Sequence, residues 1–416
     1  MNCAYRNVLI FVLVFVPGII IGGMFVAIWP FSDYGKVNYN RPQDLPEPYT
    51  TEELLNIEDF YTAAKSKLVK NSAGVWEYFE GKADLGWTLD QNKRAYRRYV
   101  IRPRILRDVS IRNLTTSILG KLTSLPIGVA PTSMQKVFHP DGEIAVATGA
   151  GRAGAIYILS TLATTSIEEV AASAPQTRLW FQLYFKNDTT FNANLLTRAE
   201  NSGYEAVVLT LDAQIIGKRV DQLRHGFELP ENASLANFDS NMNQNSTDSG
   251  TILNQTLKVL RDDITMTWDV VKWIRDHTEM KLILKGILTG EDAKLAADYG
   301  VDAIIVSNHG GRQLDSVIPT IDALSEVVSA TASSGMEIYL DGGISLGTDV
   351  FKAIALGAKM VFVGRAALAG LSVAGEEGVT KVLEILKSEL DLTMALSGVS
   401  NVASINSDYV ELYEPI

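Results

Sequence analysis

The chain has 416 residues, one cysteine, four histidines and a formal net charge of −11 at pH 7. The acidic balance and the lack of a basic stripe exclude a nucleic-acid partner. The lone Cys3 excludes an internal disulfide and a cysteine metal cluster, and no two histidines are spaced as metal ligands. Hydrophobic residues make up 47%, enough for one large α/β barrel with extensions or for two average domains.

Val8–Trp29 carries no charge and is long enough to cross a bilayer. It predicts an uncleaved membrane anchor within residues 1–30, with a cleaved signal peptide as the competing reading. A proline-rich spacer follows over 31–50. Acceptor sequons stand at Asn113, Asn187, Asn232, Asn245 and Asn254, the last three in one polar stretch. Together these predict a single-pass membrane glycoprotein of the secretory pathway, with its catalytic part in the lumen or outside the cell.

Residues 51–416 are expected to form one catalytic domain. Thr50-Thr51-Glu52-Glu53 has the spacing of a capping box and predicts a helix entering at Leu54, Leu55 and Ile57. Apolar spacing through Phe60, Ala63, Leu68 and Val75–Phe79 extends this into an N-terminal helical cap. From Leu125 the rhythm changes to short apolar runs alternating with amphipathic segments. The runs are Leu125–Ala130, Ala155–Leu159, Leu179–Tyr184, Ala206–Leu211, Lys281–Lys285, Ala303–Val306, Glu337–Leu340 and Met360–Val363. Segments such as Gly142–Ala153, Ser166–Ala174, Asn192–Ser202 and Gly290–Tyr299 lie between them. Strand–helix alternation over about 240 residues predicts a (β/α)8 TIM barrel, with an open doubly wound sheet as the alternative. Residues 217–263 are polar and rich in Asn and Ser, and are expected to be a mobile loop. Val379–Leu390 predicts a last helix, and the C-terminus carries no peroxisomal address.

Barrel enzymes place their reacting groups at the C-terminal ends of the strands. Those positions here hold Ala130-Pro131-Thr132, Ser160, Gln182 with Tyr184, Thr210 with Asp212, Lys285, Ser307 with His309, Asp341-Gly342-Gly343, and Gly364-Arg365. Ser307-Asn308-His309-Gly310-Gly311-Arg312-Gln313-Leu314-Asp315 is the densest of them. It joins a ring that titrates near neutral pH to a guanidinium suited to a carboxylate, across two glycines that permit a sharp turn. Gly343, Gly364 and Arg365 follow the last two strands, where barrels commonly hold a phosphate. Lys285 is placed to stabilise negative charge on a bound cofactor.

Ser307–Asp315, Ile127–Thr132 with Met134-Gln135-Lys136, and Asp341-Gly342-Gly343 through Gly347-Thr348-Asp349 resemble the FMN-dependent α-hydroxy-acid oxidase and dehydrogenase family, from about Glu53 to Val402. The resemblance implies FMN, oxidation of an L-2-hydroxy acid to a 2-oxo acid, and a homotetramer. It makes His309 the active-site base with Asp212 as its partner. Arg312 and Arg219 would hold the substrate carboxylate with Tyr78, and Tyr184 would contact the hydroxyl. Lys285 would face the flavin. Ala130, Pro131, Thr132, Ser160, Gln182, Thr210, Ser307, Asp341 and Gly342 would contact the cofactor, with Gly343, Gly364 and Arg365 at its phosphate. Two positions depart from the pattern. Ser345 stands where members commonly have an arginine, and Leu162 where short-chain glycolate oxidases have a tryptophan, which leaves room for a longer side chain. The first hundred residues hold no histidine, so no haem domain is expected. Oxygen is the expected acceptor; a dehydrogenase passing electrons to a quinone or cytochrome, and a catalytically silent flavin-binding barrel, are the alternatives.

Overall fold

A computed structural model describes residues 50–413 apart from 225, 227, 232 and 239–264. All of them fall in one compact unit, Pro46–Ile416. The chain enters through three helices, α1 (Ile57–Asn71), α2 (Ala73–Glu80) and α3 (Trp87–Ala95). The Thr50–Glu53 bonds form, with the Thr50 N–H and hydroxyl both donating to Glu53 Oε2, but they close a turn rather than open a helix. The helix starts one step later. Asn56 Oδ1 accepts the Asp59 N–H at 2.9 Å and Asp59 Oδ2 accepts the Asn56 N–H at 3.2 Å, a reciprocal cap that satisfies two otherwise orphaned donors. Ile57, Phe60, Ala63 and Ala64 then fall on one buried face.

After β1 (Tyr99–Ile101), the hairpin β2 (Thr116–Ile118) and β3 (Lys121–Thr123) precedes the barrel. Ile118 packs into the barrel core, and the Leu119 N–H donates to the Glu337 carboxylate at 3.1 Å. The barrel strands are β4 (Ile127–Val129), β5 (Tyr157–Leu159), β6 (Leu179–Leu183), β7 (Ala206–Thr210), β8 (Lys281–Ile287), β9 (Ala303–Val306), β10 (Glu337–Asp341) and β11 (Met360–Val363). They pair parallel in chain order, and β11 returns to β4 through Val361 opposite Ile127, so the sheet is closed. Closure decides against the open doubly wound alternative. The interior is filled by inward side chains, with Trp180 packed against Tyr339 at 5.7 Å and Phe362 at 5.6 Å between ring centres. That filling makes the barrel a core and leaves its C-terminal mouth as the place for chemistry.

The helices around it are α4 (Gly142–Ala153), α5 (Ile167–Ser173), α6 (Thr189–Asn201), α7 (Val220–Arg224), α8 (Asp269–Arg275), α9 (Gly290–Asp298), α10 (Thr320–Ala330), α11 (Gly347–Ala355) and α12 (Arg365–Ser397). Helix α12 contains the expected Val379–Leu390 and is broken at Ala374-Gly375. β12 (Val410–Leu412) closes the described chain by pairing with β1. The expected loop over 217–263 is partly structured: α7 lies within it, and Leu235, Asn237 and Phe238 are buried. Residues 225, 227, 232 and 239–263 of that stretch, including the sequon asparagines Asn232, Asn245 and Asn254, lie outside the described residues, as do the expected anchor Val8–Trp29 and the spacer up to residue 49. Among the described residues no helix is long and apolar enough to cross a membrane.

Candidate active site

Strand β9 delivers the chain into Ser307-Asn308-His309. His309 sits at φ 58, a left-handed conformation that a non-glycine residue keeps only when its surroundings hold it. Two bonds do so: its N–H donates to Ser307 Oγ at 3.1 Å, and its Nδ1 bonds Asp212 Oδ1 at 2.8 Å. Asp212 lies two residues beyond β7, and its other oxygen is buried with no hydrogen-bond partner among the described residues. Burial disfavours the imidazolium and outweighs the attraction of Asp212, so His309 titrates below the ordinary histidine value. Burial works the other way on Asp212, but His309 and Lys285 outweigh it and keep the carboxyl below the usual range. The pair at neutral pH is a neutral imidazole backed by a carboxylate, with Nε2 left to receive a proton.

Lys285, on β8, is buried, with Nζ donating to Ser307 Oγ at 3.0 Å and 3.5 Å from Asp341 Oδ2. Burial opposes its charge, yet Asp341 and Asp212 together hold its pKa above the usual lysine value, so it stays an ammonium. Asp341 therefore acts through Lys285 as its ion-pair partner.

On the cap side of the mouth, the Arg312 guanidinium lies 5.2 Å from the centre of the Tyr78 ring. Its Nη1 donates to the carbonyls of Tyr78 at 2.9 Å and Gly81 at 3.2 Å. Arg219 Nε donates to the Arg312 carbonyl at 3.2 Å and its Nη2 to Gln313 Oε1 at 2.9 Å. Burial and the neighbouring Arg312 charge push Arg219 down to about 9. Neither guanidinium has a carboxylate partner among the described residues, so two like charges share one desolvated pocket. An anion placed between them relieves both burial and repulsion. Tyr78 Oη donates to the Ser133 carbonyl at 3.2 Å, and burial raises Tyr184 to about 12, which keeps it a donor. Gly311, at φ 73, lets the loop pass the cap: a Cβ there would lie 2.6 Å from the Leu89 nitrogen.

Leu162 lines the same cavity and is 2% exposed. Its loop is held by Glu143 on α4, a fully buried carboxylate that accepts the N–H groups of Gln135 at 3.0 Å and Thr164 at 2.8 Å and the hydroxyls of Thr164 and Thr165. Glu143 carried no signal in the sequence beyond its place on a helix, because its four donors come from two loops. Ser133 and Gln222 also line the cavity unforeseen, whereas Gln313 was within reach, being part of the His309 motif.

Ala130, Pro131, Thr132, Gly342, Gly343 and Gly364 line the cavity. Ser160, Gln182, Thr210 and Ser307 are absent from its lining and brace it from behind. Ser160 Oγ donates to Gln182 Oε1 at 3.4 Å, and Gln182 Nε2 to Thr210 Oγ1 at 3.0 Å. At the far end, Gly364 caps the start of α12 without a side chain, which leaves the first N–H groups of the helix to hold an anion. Arg365 is otherwise engaged. Its Nε donates to the Phe79 carbonyl at 3.2 Å, Nη1 to Gly310 at 3.0 Å, and Nη2 to Glu80 at 3.3 Å and Gly81 at 2.7 Å.

The cavity opens at the barrel mouth and is lined from Tyr78, Leu162 and His309 through Lys285 to Gly343 and Gly364. That extent, the helix start without a side-chain cap and the buried ammonium fit a phosphorylated cofactor with a substrate beside it. Residues 65–412 match the family model of FMN-dependent dehydrogenase.

The chain belongs to the FMN-dependent dehydrogenase family.

Glycolate oxidase 1 of Zea mays is 45% identical over 362 residues, covering 86% of this chain and 96% of its own. The glycolate oxidase of Spinacia oleracea is 43% identical over 361 residues with the same coverage. Among solved structures, mandelate oxidase with benzoyl-formic acid aligns at a TM-score of 0.77 and 38% identity, over 87% of this chain and 99% of that one. FMN is the cofactor of this family member, and oxidation of a 2-hydroxy acid is its reaction class. The single-pass, lumenal or extracellular placement expected from the sequence is corrected by the relatives it matches over 86% of its length, which are glycolate oxidases, and no described helix is long and apolar enough to cross a membrane. A long apolar run meets the length requirement for a span without establishing one.

Proposed function

We propose that this protein oxidises (S)-2-hydroxy acids with an apolar side chain longer than that of glycolate, and passes the electrons to oxygen. His309 carries the reading: its ring is held at Nδ1 by Asp212, it lines the cavity, and it shares that cavity with two guanidiniums that lack a carboxylate partner among the described residues. Arg312 and Arg219 take the substrate carboxylate, which places the carbinol carbon towards His309 and Tyr184. His309 Nε2 receives a proton from the substrate, and Asp212 stabilises the imidazolium that results. FMN, when bound, supplies the two-electron acceptor. Lys285 holds positive charge within the site, kept ionised by Asp341, and opposes negative charge that develops there. Leu162 borders the substrate tail with an apolar wall.

The test is reduction of the bound flavin without oxygen, followed through its visible absorption, by a series of (S)-2-hydroxy acids of increasing chain length. Air is then admitted. Bleaching by four-carbon and longer acids with prompt recovery in air is the expected result. Failure of every 2-hydroxy acid to bleach the flavin sinks the catalytic reading. Recovery only on adding a quinone or cytochrome replaces the oxidase with a dehydrogenase.

A further inference from the structure

Helix α3 is packed directly against the loop that follows β10. A Cβ on Gly343 would meet the Asn92 carbonyl at 2.2 Å, and Tyr96 Oη donates to the Gly342 carbonyl at 3.2 Å. The next residue on that helix, Lys93, lines the same cavity as Gly343, Ser345, Gly364 and Arg365. Its Nζ stands 5.1 Å from the centre of the Tyr61 ring and makes no ion pair among the described residues. Tyr61 lies in the field of Arg365, which opposes the effect of burial on its phenol. Lys93, Tyr61 and Arg365 thus share one end of the cavity, beside the open start of α12.

The charges there do not balance with a phosphate monoester, which carries about −2 at neutral pH. Of the five N–H groups a guanidinium offers, Arg365 already directs four at backbone carbonyls. Ser345 is uncharged, and its hydroxyl donates to the Gly343 carbonyl at 3.2 Å. Lys285 is paired with Asp341, and the Arg312 guanidinium, which shares the Gly81 carbonyl with Arg365, is held beside Tyr78 together with Arg219. Lys93, which makes no ion pair among the described residues, adds a compact ammonium on a flexible stem that reaches an anion beside the start of α12.

We propose that Lys93, seated over Tyr61 on the cap helix, is the side-chain cation that recognises the phosphate of FMN and makes this protein prefer FMN to riboflavin. The proposal rests on the FMN reading above. The cap helix then contributes to cofactor selection as well as to the roof of the site.

The test uses the full-length protein stripped of flavin and titrated with FMN and, separately, with riboflavin, following flavin fluorescence. Lys93→Ala is expected to weaken FMN on the order of tenfold, the scale of one lost hydrogen bond to a charged group, while riboflavin binds as before. Lys93→Arg restores most of the loss, and the FMN affinity of Lys93→Ala depends less on salt than that of the unaltered protein. The proposal falls if both ligands weaken alike, if neither changes, or if Arg at 93 does no better than Ala. An unaltered protein that binds neither flavin sinks the FMN reading itself, an outcome distinct from a Lys93 that makes no difference.

Discussion

Asn92 and Asn308 exchange a reciprocal pair of amide hydrogen bonds: Asn92 Nδ2 donates to Asn308 Oδ1 at 2.8 Å, and Asn308 Nδ2 to Asn92 Oδ1 at 2.8 Å. Both side chains are buried. The pair joins cap helix α3 to the residue just before the strained His309. Asn92 Oδ1 also accepts the Thr320 N–H, and Asn308 Nδ2 also donates to the Ile318 carbonyl. Cap, catalytic loop and the start of α10 are thereby held in one network.

Asn308→Ala leaves the Asn92 amide facing a buried void. It is expected to destabilise the fold by about 1–3 kcal/mol, the cost of an orphaned buried polar group, and to lower kcat by loosening His309. Urea denaturation and steady-state kinetics on the same preparation check both. Full stability in the variant would show that the pair holds nothing.

His309→Ala should retain FMN yet lose reduction by substrate roughly 10²–10⁴-fold, the contribution of a positioned base. The base must be unprotonated, so kcat/KM should fall as pH drops through the His309 pKa. Because burial depresses that pKa, the acid limb should lie below the value of about 6.5 of an ordinary histidine. In Asp212→Asn the charge that favours the imidazolium is gone, so the limb should move to still lower pH while the maximal rate drops. A limb that stays in place in Asp212→Asn removes Asp212 from the pair.

Arg312→Lys cannot keep the two carbonyl bonds of Nη1 and still present a planar fork. An increase in KM on the order of tenfold or more is expected for every 2-hydroxy acid, since hydrogen bonds to charged groups are the strong ones. Unchanged KM and kcat would take Arg312 out of carboxylate binding.

Leu162 is fixed in the cavity wall by its backbone: its N–H donates to Ser160 Oγ at 3.1 Å, and its carbonyl accepts the Met134 N–H at 3.0 Å. A larger side chain there fills the tail space instead of moving aside. Catalytic efficiency should rise from glycolate with each added methylene by about fourfold, from about 0.8 kcal/mol per buried CH₂, until the space is full. Leu162→Trp should reverse the order. A ranking that is unchanged in the variant, or led by glycolate in the unaltered protein, assigns Leu162 to packing alone.

The strands were legible because a barrel strand is a short apolar run, visible without any partner. Ala303–Val306 and Met360–Val363 fall where those runs predict, as does helix Gly142–Ala153. The start of the cap was less legible. Thr50–Glu53 and Asn56–Asp59 both have capping spacing, and packing of Ile57 and Phe60 decides which one opens α1. The glycines and His309 of the Ser307–Asp315 motif stood out, whereas Asn92 and Glu143 did not, since neither has a neighbour in the chain that explains it.

The sequence by itself determined the alternation of strand and helix, the polar groups at the strand ends and the motif that carries His309. Each is a local pattern, written at spacings of a few residues and independent of what lies across the molecule. Only the tertiary structure decided that Asp212 meets His309 across 97 positions and Asn92 meets Asn308 across 216. It also decided that Arg365 is engaged by the cap while Lys93 makes no ion pair among the described residues. Barrel closure brings distant strand ends to one mouth, and a hydrogen bond forms only where two groups come within about 3 Å.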